Sequence, residues 1–527
     1  MRRSAATIFL CAVLAGCCSQ TCSTGGEQQT AQYLDSIRRN PARLETFLRE
    51  MPKGGDLHNH LAGAIYAESF IDYAAASGLC YDPKTETVIK PSGKSCDKKA
   101  GQVPADEAYN NPTLYHDMVD AFSMRDFHPH CDPAGTSRNS ATICESAHDH
   151  FFDSFPKFGA ASDGNTGDML AEAASRAAAD HLQFLELMNT EDGKLARDLG
   201  TRTLGVKRDW LENFAQARNK LLAAGLKTTA VRATVQLLDH DEARMRDVLH
   251  CGSAQASDGC NVQVRYLYQV LRAQPPEQVF AQILLGFELA QSDARFVGLN
   301  LVQPEDWYVP MHDFELHMHM LDYLHGIYPD VHISLHAGEL APGLVPPEGL
   351  RFHIRDSVRL AHAERIGHGV DIVYEDEHEE LLKEMAQKQV LVEICLTSND
   401  QILGVSGAQH PLKAYLDNKV PVALATDDEG VARSDMTSEY VRAVQTYDFL
   451  GYKDLKRMAR MSLEHSFLPG TSLWARADGL RMVSGCKEDH ADEDQLSSDC
   501  RKFLDGSDRA RTQWKLESEF AKFEKKY

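Results

Sequence analysis

Histidine and acidic residues recur in this sequence at spacings that suit metal-dependent hydrolysis. Each of them lies in or directly after a short apolar run, in the segments GDLHNH, HISLHAGE, RIGHGVDIV and VPVALATDD: His58, His60, His336, Glu339, His368, Asp427 and Asp428. In an extended strand, residues two apart point to the same face, so the first two imidazoles can reach one ion. Nitrogen and oxygen ligands without thiolate suit Zn²⁺ and also other divalent ions.

Histidine pairs alone are a weak signal, because the chain has 23 histidines. His317 and His319 form such a pair in HDFELHMHMLDYL, which has the pattern of a helix. Residues two apart on a helix point in nearly opposite directions, so we do not expect these two to be ligands. His128 and His130 lie in a polar region, and we expect them at the surface or at a pocket rim.

The elements that position these residues read as alternating strands and helices. Eight segments have the composition of buried strands: 55–60, 183–188, 228–238, 296–302, 332–339, 365–373, 390–398 and 420–428. Amphipathic segments such as DWLENFAQARNKLLAAG and PPEQVFAQILLGFELAQ lie between them. This alternation predicts an α/β fold with a parallel sheet, and eight units favour a (β/α)8 TIM barrel. A doubly wound open sheet is the alternative, but no glycine-rich phosphate loop follows the first strand. In a barrel the candidate residues meet at the carboxyl ends of the strands.

The chain divides into four predicted segments. Residues 1–16 are a signal peptide, 17–50 a tether with an N-terminal helix, 51–473 the barrel, and 474–527 a C-terminal extension with a helical tail. The gap between the first two strands exceeds what one helix and two loops need. We therefore expect an insertion at about 78–150, held by disulfides near the mouth of the barrel.

The charge balance excludes one class of partner. Lys and Arg total 55 against 77 Asp and Glu, a net charge of −22. Phosphate backbones and anionic lipid surfaces are bound by clustered basic residues, so a nucleic-acid polymer is not the expected partner. A neutral small molecule needs no such cluster.

The N-terminus predicts export. Arg2 and Arg3 precede a short apolar stretch that is too short to span a bilayer, and Leu14-Ala15-Gly16-Cys17 follows it. This resembles a bacterial lipobox, in which the cysteine is lipidated. We expect a protein anchored by lipid at Cys17 to a bacterial membrane, facing the periplasm or the cell surface, and touching the membrane only there.

The thirteen cysteines fit an oxidising compartment. Eight of them form sequence-local pairs, which we predict as disulfides: Cys80 with Cys96, Cys131 with Cys144, Cys251 with Cys260, and Cys486 with Cys500. Cys395 stands alone in the apolar run VLVEICLTS, where a buried thiol is expected. The tether holds Cys18 and Cys22.

Several of these segments together resemble the adenosine deaminase family. The runs are MPKGGDLHNHLAGA, SLHAGEL, RIGHGV, ICLTSN with HPLKAYL, VALATDDEG and LEHSFLPG, in the family's order across about 51–470. MPKGG and the large insertion are most similar to the secreted growth-factor type.

The resemblance implies a role for each site residue. His58, His60, His336 and Asp427 would bind one zinc ion per chain, with water as a further ligand. Glu339 would protonate purine N1, and His368 would act on the water as base or orienter. Asp427 would also partner the nucleophile, and Asp428 would hold purine N7. The implied reaction converts adenosine, or a related 6-aminopurine nucleoside, to inosine and ammonia.

The sequence departs from the family on the sugar side of the substrate. Ala62 stands where an acidic residue usually contacts the 5′-hydroxyl. Gln303 stands where a glycine usually offers its backbone N–H to purine N3. Leu396 and Glu429 replace two usual prolines. A 5′-modified nucleoside or another 6-aminopurine compound therefore remains open as the substrate.

Two other readings stay open. One is a related metal-barrel hydrolase acting on a different amine or amide, although the fourth strand offers Asn300 and no bridging lysine, which favours one metal ion. The other is a non-catalytic nucleoside-binding or signalling protein, which the complete set of ligands together with Glu339 and His368 argues against.

Overall fold

The computed structural model describes residues 25–128, 130–131, 144–191, 193–476, 480–491 and 495–527. Its centre is one sheet of eight strands, which we number in chain order: β1 Gly54–His60, β2 Leu182–Asn189, β3 Gln263–Leu271, β4 Phe296–Val302, β5 His332–Ala337, β6 Arg365–His368, β7 Leu391–Ile394 and β8 Val422–Leu424. Each strand pairs in parallel with the next.

The sheet closes on itself at the candidate ligands. Asn59 and Asp427 form a parallel bridge between β1 and the residues after β8. The Asp427 N–H donates to the His58 carbonyl at 2.8 Å, and the His60 N–H donates to the Asp427 carbonyl at 3.1 Å. The predicted (β/α)8 barrel is therefore confirmed.

Helices surround this sheet in the part of the chain described. The α-helices are Gly25–Ile37, Pro41–Glu50, Leu61–Ala64, Ala67–Ala76, Pro112–Ala121, Ala147–Ser162, Thr166–Ala179, Gly193–Leu204, Phe214–Ala223, Arg232–Val248, Pro276–Ser292, Tyr308–His312, Phe314–His325, His353–Arg359, His378–Lys388, Leu396–Leu403, Leu412–Asp417, Glu429–Ala432, Met436–Thr446, Tyr452–Glu464, Ser498–Asp505 and Asp508–Lys526. Short 3₁₀-helices are Ala105–Asn110, Arg208–Glu212, Asp258–Asn261, Pro347–Leu350, Ile372–Tyr374 and Gly407–Gln409.

The third strand was wrongly predicted. The run 228–238 is helical: a π-helical turn, Leu226–Val231, leads into the helix Arg232–Val248. Ala230, Thr234 and Leu238 are buried at intervals of four residues, so the helical period prevails over the β-branched composition. The true third strand is QVRYLYQVL at 263–271.

The later strands are shorter than predicted. β6 ends at His368, β7 at Ile394 and β8 at Leu424. The predicted strand residues beyond these points form loops or begin new helices, such as Leu396–Leu403 after β7. Because β5 and β8 end early, Glu339, Asp427 and Asp428 lie on loops that rigid strands hold in position.

Small sheets decorate the barrel. Between β1 and β2 lie a three-stranded antiparallel sheet, Cys80–Asp82, Thr87–Ile89 and Val103–Pro104, and a two-stranded pair, His130–Cys131 and Cys144–Glu145. The strands Trp474–Arg476 and Arg481–Met482 begin the C-terminal region, where Leu473, Cys486 and Cys500 form a separate apolar cluster.

Three of the predicted disulfides are present: Cys80–Cys96, Cys251–Cys260 and Cys486–Cys500. The backbones of Cys131 and Cys144 pair across their two strands, but the side chains of these two lie outside the described part. Cys395 is free and buried, as predicted. The predicted lipidation residue Cys17 and the tether cysteines fall in residues 1–24, outside the described ranges. Within those ranges, no helix is long and apolar enough to cross a membrane.

Candidate active site

Four ligand atoms converge at the carboxyl end of the barrel. The Nε2 atom of His336 lies 3.0 Å from Nε2 of His58 and 3.1 Å from Nε2 of His60. Oδ1 of Asp427 lies 3.5 Å from Nε2 of His58 and 3.3 Å from Nε2 of His60. The period-two spacing on β1 thus places both imidazoles on the inner face, opposite the end of β5.

Each of the three imidazoles is held from behind by an acceptor. Nδ1 of His58 donates to Glu393 at 2.7 Å, and Nδ1 of His60 donates to Gln269 at 2.8 Å. Nδ1 of His336 donates to Asn300 Oδ1 at 2.9 Å, and the same oxygen accepts the backbone N–H of His336 at 3.0 Å. Because the Nδ1 atoms carry the protons, the three Nε2 atoms present lone pairs to one another.

These lone pairs fit a cation. Three imidazole lone pairs and a carboxylate oxygen within a few ångströms repel one another unless a positive charge lies between them. Ligand atoms about 2.0–2.1 Å from a tetrahedral zinc ion stand roughly 3.3 Å apart, close to the spacing observed. The four predicted ligands therefore form a group able to hold a metal ion.

A buried charge network supports the β1 side of the group. Glu393 on β7 accepts from Ser334 Oγ at 3.0 Å and pairs with Arg365 Nε at 2.7 Å. Arg365 also pairs with Glu186 at 2.6 Å, and all three charged side chains are fully buried. The arginine keeps the pKa of Glu393 below its ordinary value, against the opposing effect of burial.

Glu339 stands beside the metal-ligand group as a candidate acid. Its carboxyl oxygen lies 3.7 Å from Nε2 of His368. The backbone N–H of Glu339 donates to the buried Glu305 carboxylate at 2.8 Å, which fixes the loop after β5. Burial, with repulsion from Asp427 and Glu305, raises the pKa of Glu339 well above its ordinary value. Its surroundings therefore favour the protonated carboxyl, which can give up a proton.

Asp428 has a similar character on the other side of the pocket. Burial and the neighbouring Asp427 raise its pKa well above the ordinary value, and its Oδ1 has no protein hydrogen-bond partner. That oxygen lies against Gly63, where a Cβ atom would meet it at 1.6 Å. Gly63 therefore leaves the room that Asp428 occupies. Ala62 beside it offers no polar atom for a substrate hydroxyl.

Three residues of the site adopt left-handed backbone conformations: Gln303 with φ 83°, His368 with φ 66° and Asp427 with φ 61°. Such strain in non-glycine residues concentrates at functional sites. The Gln303 side chain turns back to accept the Ala273 N–H at 2.9 Å, and its carbonyl accepts from Arg272. Its side chain is therefore anchored by the loop after β3.

An apolar wall lines part of the cavity of about 250 Å³ that also exposes these polar groups. The helix Ala147–Ser162 contributes Phe151, Phe152 and Phe155, Trp307 lines the cavity from the loop after β4, and Ile402 lines it from the helix Leu396–Leu403. A flat aromatic ligand fits between such a wall and a polar floor.

The structure brings all seven predicted polar residues to this cavity or its floor. His317 is buried in the helix Phe314–His325 and His319 is exposed on it, so neither joins the group. Sequence reasoning missed the acceptors Glu393 and Gln269 and the aromatic wall. Gln269 lies on the third strand, which the sequence prediction misplaced. Glu393 is a lone acid inside an apolar run, and that was the one signal in the sequence that could have identified it.

Comparison with known proteins assigns the chain to a family. The sequence model described as adenosine deaminase matches residues 215–479, half of the chain. This range contains His336, Glu339, His368 and Asp427, whereas the β1 pair lies outside it.

Individual relatives with similar sequences are also described as adenosine deaminases. An adenosine deaminase of Clostridium kluyveri is 27% identical over 208 residues, which cover 39% of this chain and 54% of the relative. An adenosine deaminase of Clostridium acetobutylicum is 34% identical over 156 residues, 29% of this chain and 42% of the relative. The chain thus spans about half the length of these curated relatives.

One solved structure is an N6-mAMP deaminase of Arabidopsis, with a TM-score of 0.49 and 19% identity over 80% of this chain and 96% of that one. Since the family's sequence pattern covers half of the chain, the chain belongs to the adenosine deaminase family.

Proposed function

We propose that the protein catalyses zinc-dependent hydrolytic deamination of adenosine, or of a related 6-aminopurine nucleoside, to inosine and ammonia. The observation that carries the proposal is the set of three imidazole lone pairs and Asp427 facing one point, with the buried acid Glu339 beside them. His58, His60, His336 and Asp427 would hold one zinc ion, which when bound would lower the pKa of water toward about 7 and so supply a nucleophile.

The chain's own residues handle the purine ring. Glu339 is a neutral acid and donates its proton to ring nitrogen N1, which makes C6 more electrophilic. Asp428, whose raised pKa favours the protonated form, donates a hydrogen bond to N7, which is an acceptor. Two carboxyl groups that would repel as anions thus both serve as donors to the ring.

The aromatic wall excludes water and orients the ring. Phe151, Phe152 and Phe155 line the same cavity as His60, His336 and Asp427. Stacking against aromatic side chains holds a purine flat, so that C6 faces the nucleophile. The cavity offers no acidic side chain at position 62, so we propose that the sugar is recognised differently from the usual 5′-hydroxyl contact.

The test is a pair of measurements on one variant. Wild-type protein loaded with zinc is expected to convert adenosine to inosine, followed by the fall in adenosine absorbance and by ammonia release. Glu339→Gln keeps the shape of the side chain but has no acidic proton to give, so turnover should fall by at least about 10³-fold while bound zinc stays at one per chain. Glu439→Gln is the matched control, because it changes a buried acid that accepts from Thr397 and Ser434 and is not one of the proposed ligands.

Different outcomes identify different failures. Wild-type protein that binds zinc and adenosine without turnover would favour a nucleoside-binding protein. Release of ammonia from a different amine alone would favour a related hydrolase. Absence of bound zinc in wild type would refute the metal site outright.

We further propose that the chain is exported and held on a bacterial membrane by lipid at Cys17. The lipobox-like Leu14-Ala15-Gly16-Cys17 and the three disulfides support this. Cys17→Ala should shift the protein from the membrane fraction to the soluble fraction. A variant that stays with the membrane would contradict the proposal.

A further inference from the structure

A chain of buried hydrogen bonds runs behind His368, away from the metal-ligand group. Its members are fully or almost fully buried: His368 at the end of β6, Asn399 in the helix Leu396–Leu403, and His410 in the loop that follows. Asn399 Nδ2 lies 2.9 Å from His368 Nδ1, and its Oδ1 lies 3.0 Å from His410 Nε2. The backbone N–H of Leu412 lies 3.2 Å from His410 Nδ1.

The direction of every bond in this chain follows from its far end. A backbone N–H can only donate, so His410 Nδ1 is an acceptor and carries no proton. Burial lowers the pKa of His410 to about 4, so the ring is neutral and its one proton lies on Nε2. That proton is donated to Asn399 Oδ1. The amide is thereby oriented, and its NH₂ group faces His368.

The last bond decides the form of His368. Because an amide NH₂ donates to its Nδ1, that nitrogen must present a lone pair. A neutral imidazole has one proton, so it lies on Nε2. That Nε2 is buried, has no hydrogen-bond partner within the protein, and faces Glu339 Oε1 at 3.7 Å across the site.

We propose that Asn399 and His410 are positioning residues that lock His368 as an Nε2–H donor, so that it stabilises the attacking oxygen rather than removing its proton. This deepens the proposed deamination and rests on it. A donor aimed at developing negative charge acts as an oxyanion-hole group does. A general base needs the opposite arrangement, with an acceptor such as a carboxylate behind Nδ1 and the lone pair on Nε2.

Asn399→Asp separates the two roles, because it is nearly isosteric and only accepts hydrogen bonds when ionised. It draws the proton of His368 to Nδ1 and leaves a lone pair on Nε2. Our proposal predicts that kcat falls by about 10²-fold, the usual effect of losing one such donor, while KM and zinc content change by less than about threefold. A kcat that is unchanged or increased would overturn it, since the variant supplies the carboxylate that a base requires.

His410 provides a graded second test. His410→Ala removes the donor that orients the Asn399 amide, so kcat should fall. The NH₂ group of His410→Gln can still donate to Asn399, so this variant should keep most of the wild-type kcat. His317→Ala is the matched control, because His317 is a buried histidine whose pKa burial also lowers to about 4, yet its ring nitrogens make no hydrogen bond within the protein. Equal losses in His410→Ala and His410→Gln would contradict the proposal.

The proton itself can be located without an activity assay. In full-length, zinc-loaded protein labelled with ¹⁵N-histidine, the His368 signals are identified by their loss in His368→Gln. We expect the directly bound proton on Nε2 in wild type and on Nδ1 in Asn399→Asp. A proton on Nδ1 in wild type overturns the proposal even if deamination is confirmed, and a proton on Nε2 supports it even if the substrate proves to be a different amine.

Discussion

The carboxylate of Glu393 lies 2.7 Å behind Nδ1 of His58, and both side chains are fully buried. The acid is itself held by Arg365, so β7 fixes the tautomer of a candidate ligand histidine on β1, which is two strands away in the closed barrel. Such partners make the ligand more basic and fix its orientation.

Replacing that acid should weaken metal binding. Glu393→Gln keeps an acceptor but removes the negative charge, so zinc affinity is expected to fall by about 10–100-fold. Competition with a chromogenic chelator measures it. Glu439→Gln is the control, because Glu439 is equally buried but accepts from the Thr397 N–H instead of a ligand histidine. Equal affinities in wild type and Glu393→Gln would show that the charge has no such role.

Removing the metal should destabilise the fold. The three Nε2 lone pairs and Asp427 repel one another when nothing lies between them, and zinc that binds only the folded chain adds stability of about 2.7 kcal/mol at a hundred times its Kd. We expect dialysis against chelator to lower Tm and added zinc to restore it. In the variant His58→Ala/His60→Ala the same treatment should leave Tm unchanged. A chelator-insensitive wild-type Tm would argue against the site.

Gly63 should tolerate no side chain. A Cβ at this position would meet Asp428 Oδ1 at 1.6 Å, so Gly63→Ala must push that carboxyl out of the pocket. We expect kcat/KM for adenosine to fall by at least tenfold, on the order of one lost substrate hydrogen bond. Gly93→Ala, where nothing lies within 4 Å of the new atom, is the control. Full activity of Gly63→Ala would place Asp428 outside substrate binding.

Acid should destabilise the protein through buried neutral histidines. Burial lowers the pKa of His317 from 6.5 to about 4. Its contribution is therefore complete above pH 6.5 and is lost as the pH falls from 6.5 toward 4, because the unfolded chain takes up the proton first. This one group accounts for about 2 kcal/mol between pH 7 and pH 5.

Urea unfolding at the two pH values measures the difference. His317→Gln does not titrate, so its stability should depend less on pH by that amount. An identical pH dependence in variant and wild type would show that His317 is already charged, or exposed, in the folded protein.

The barrel was predictable because its signal is local. Seven of the eight strands were located from apolar runs, and the ligand histidines from their place at the run ends. The third strand was not located. The run 228–238 is rich in β-branched residues and was predicted in its place, whereas the true strand, 263–271, mixes Gln, Arg and Tyr with its apolar residues. In 228–238, the packing of Leu238 and its neighbours in a helix outweighs the preference of the β-branched residues for strands.

The candidate imidazoles and carboxyls, their order, and their places at or just beyond the ends of barrel strands could be read from the amino-acid sequence. Their protonation and orientation could be read only from the folded chain. Glu393 reaches His58 from 335 residues away, and Leu412 orients His368 through two intervening side chains. Hydrogen-bond direction and the cost of burying charge depend on neighbours in space, and closure of the barrel brings those neighbours together.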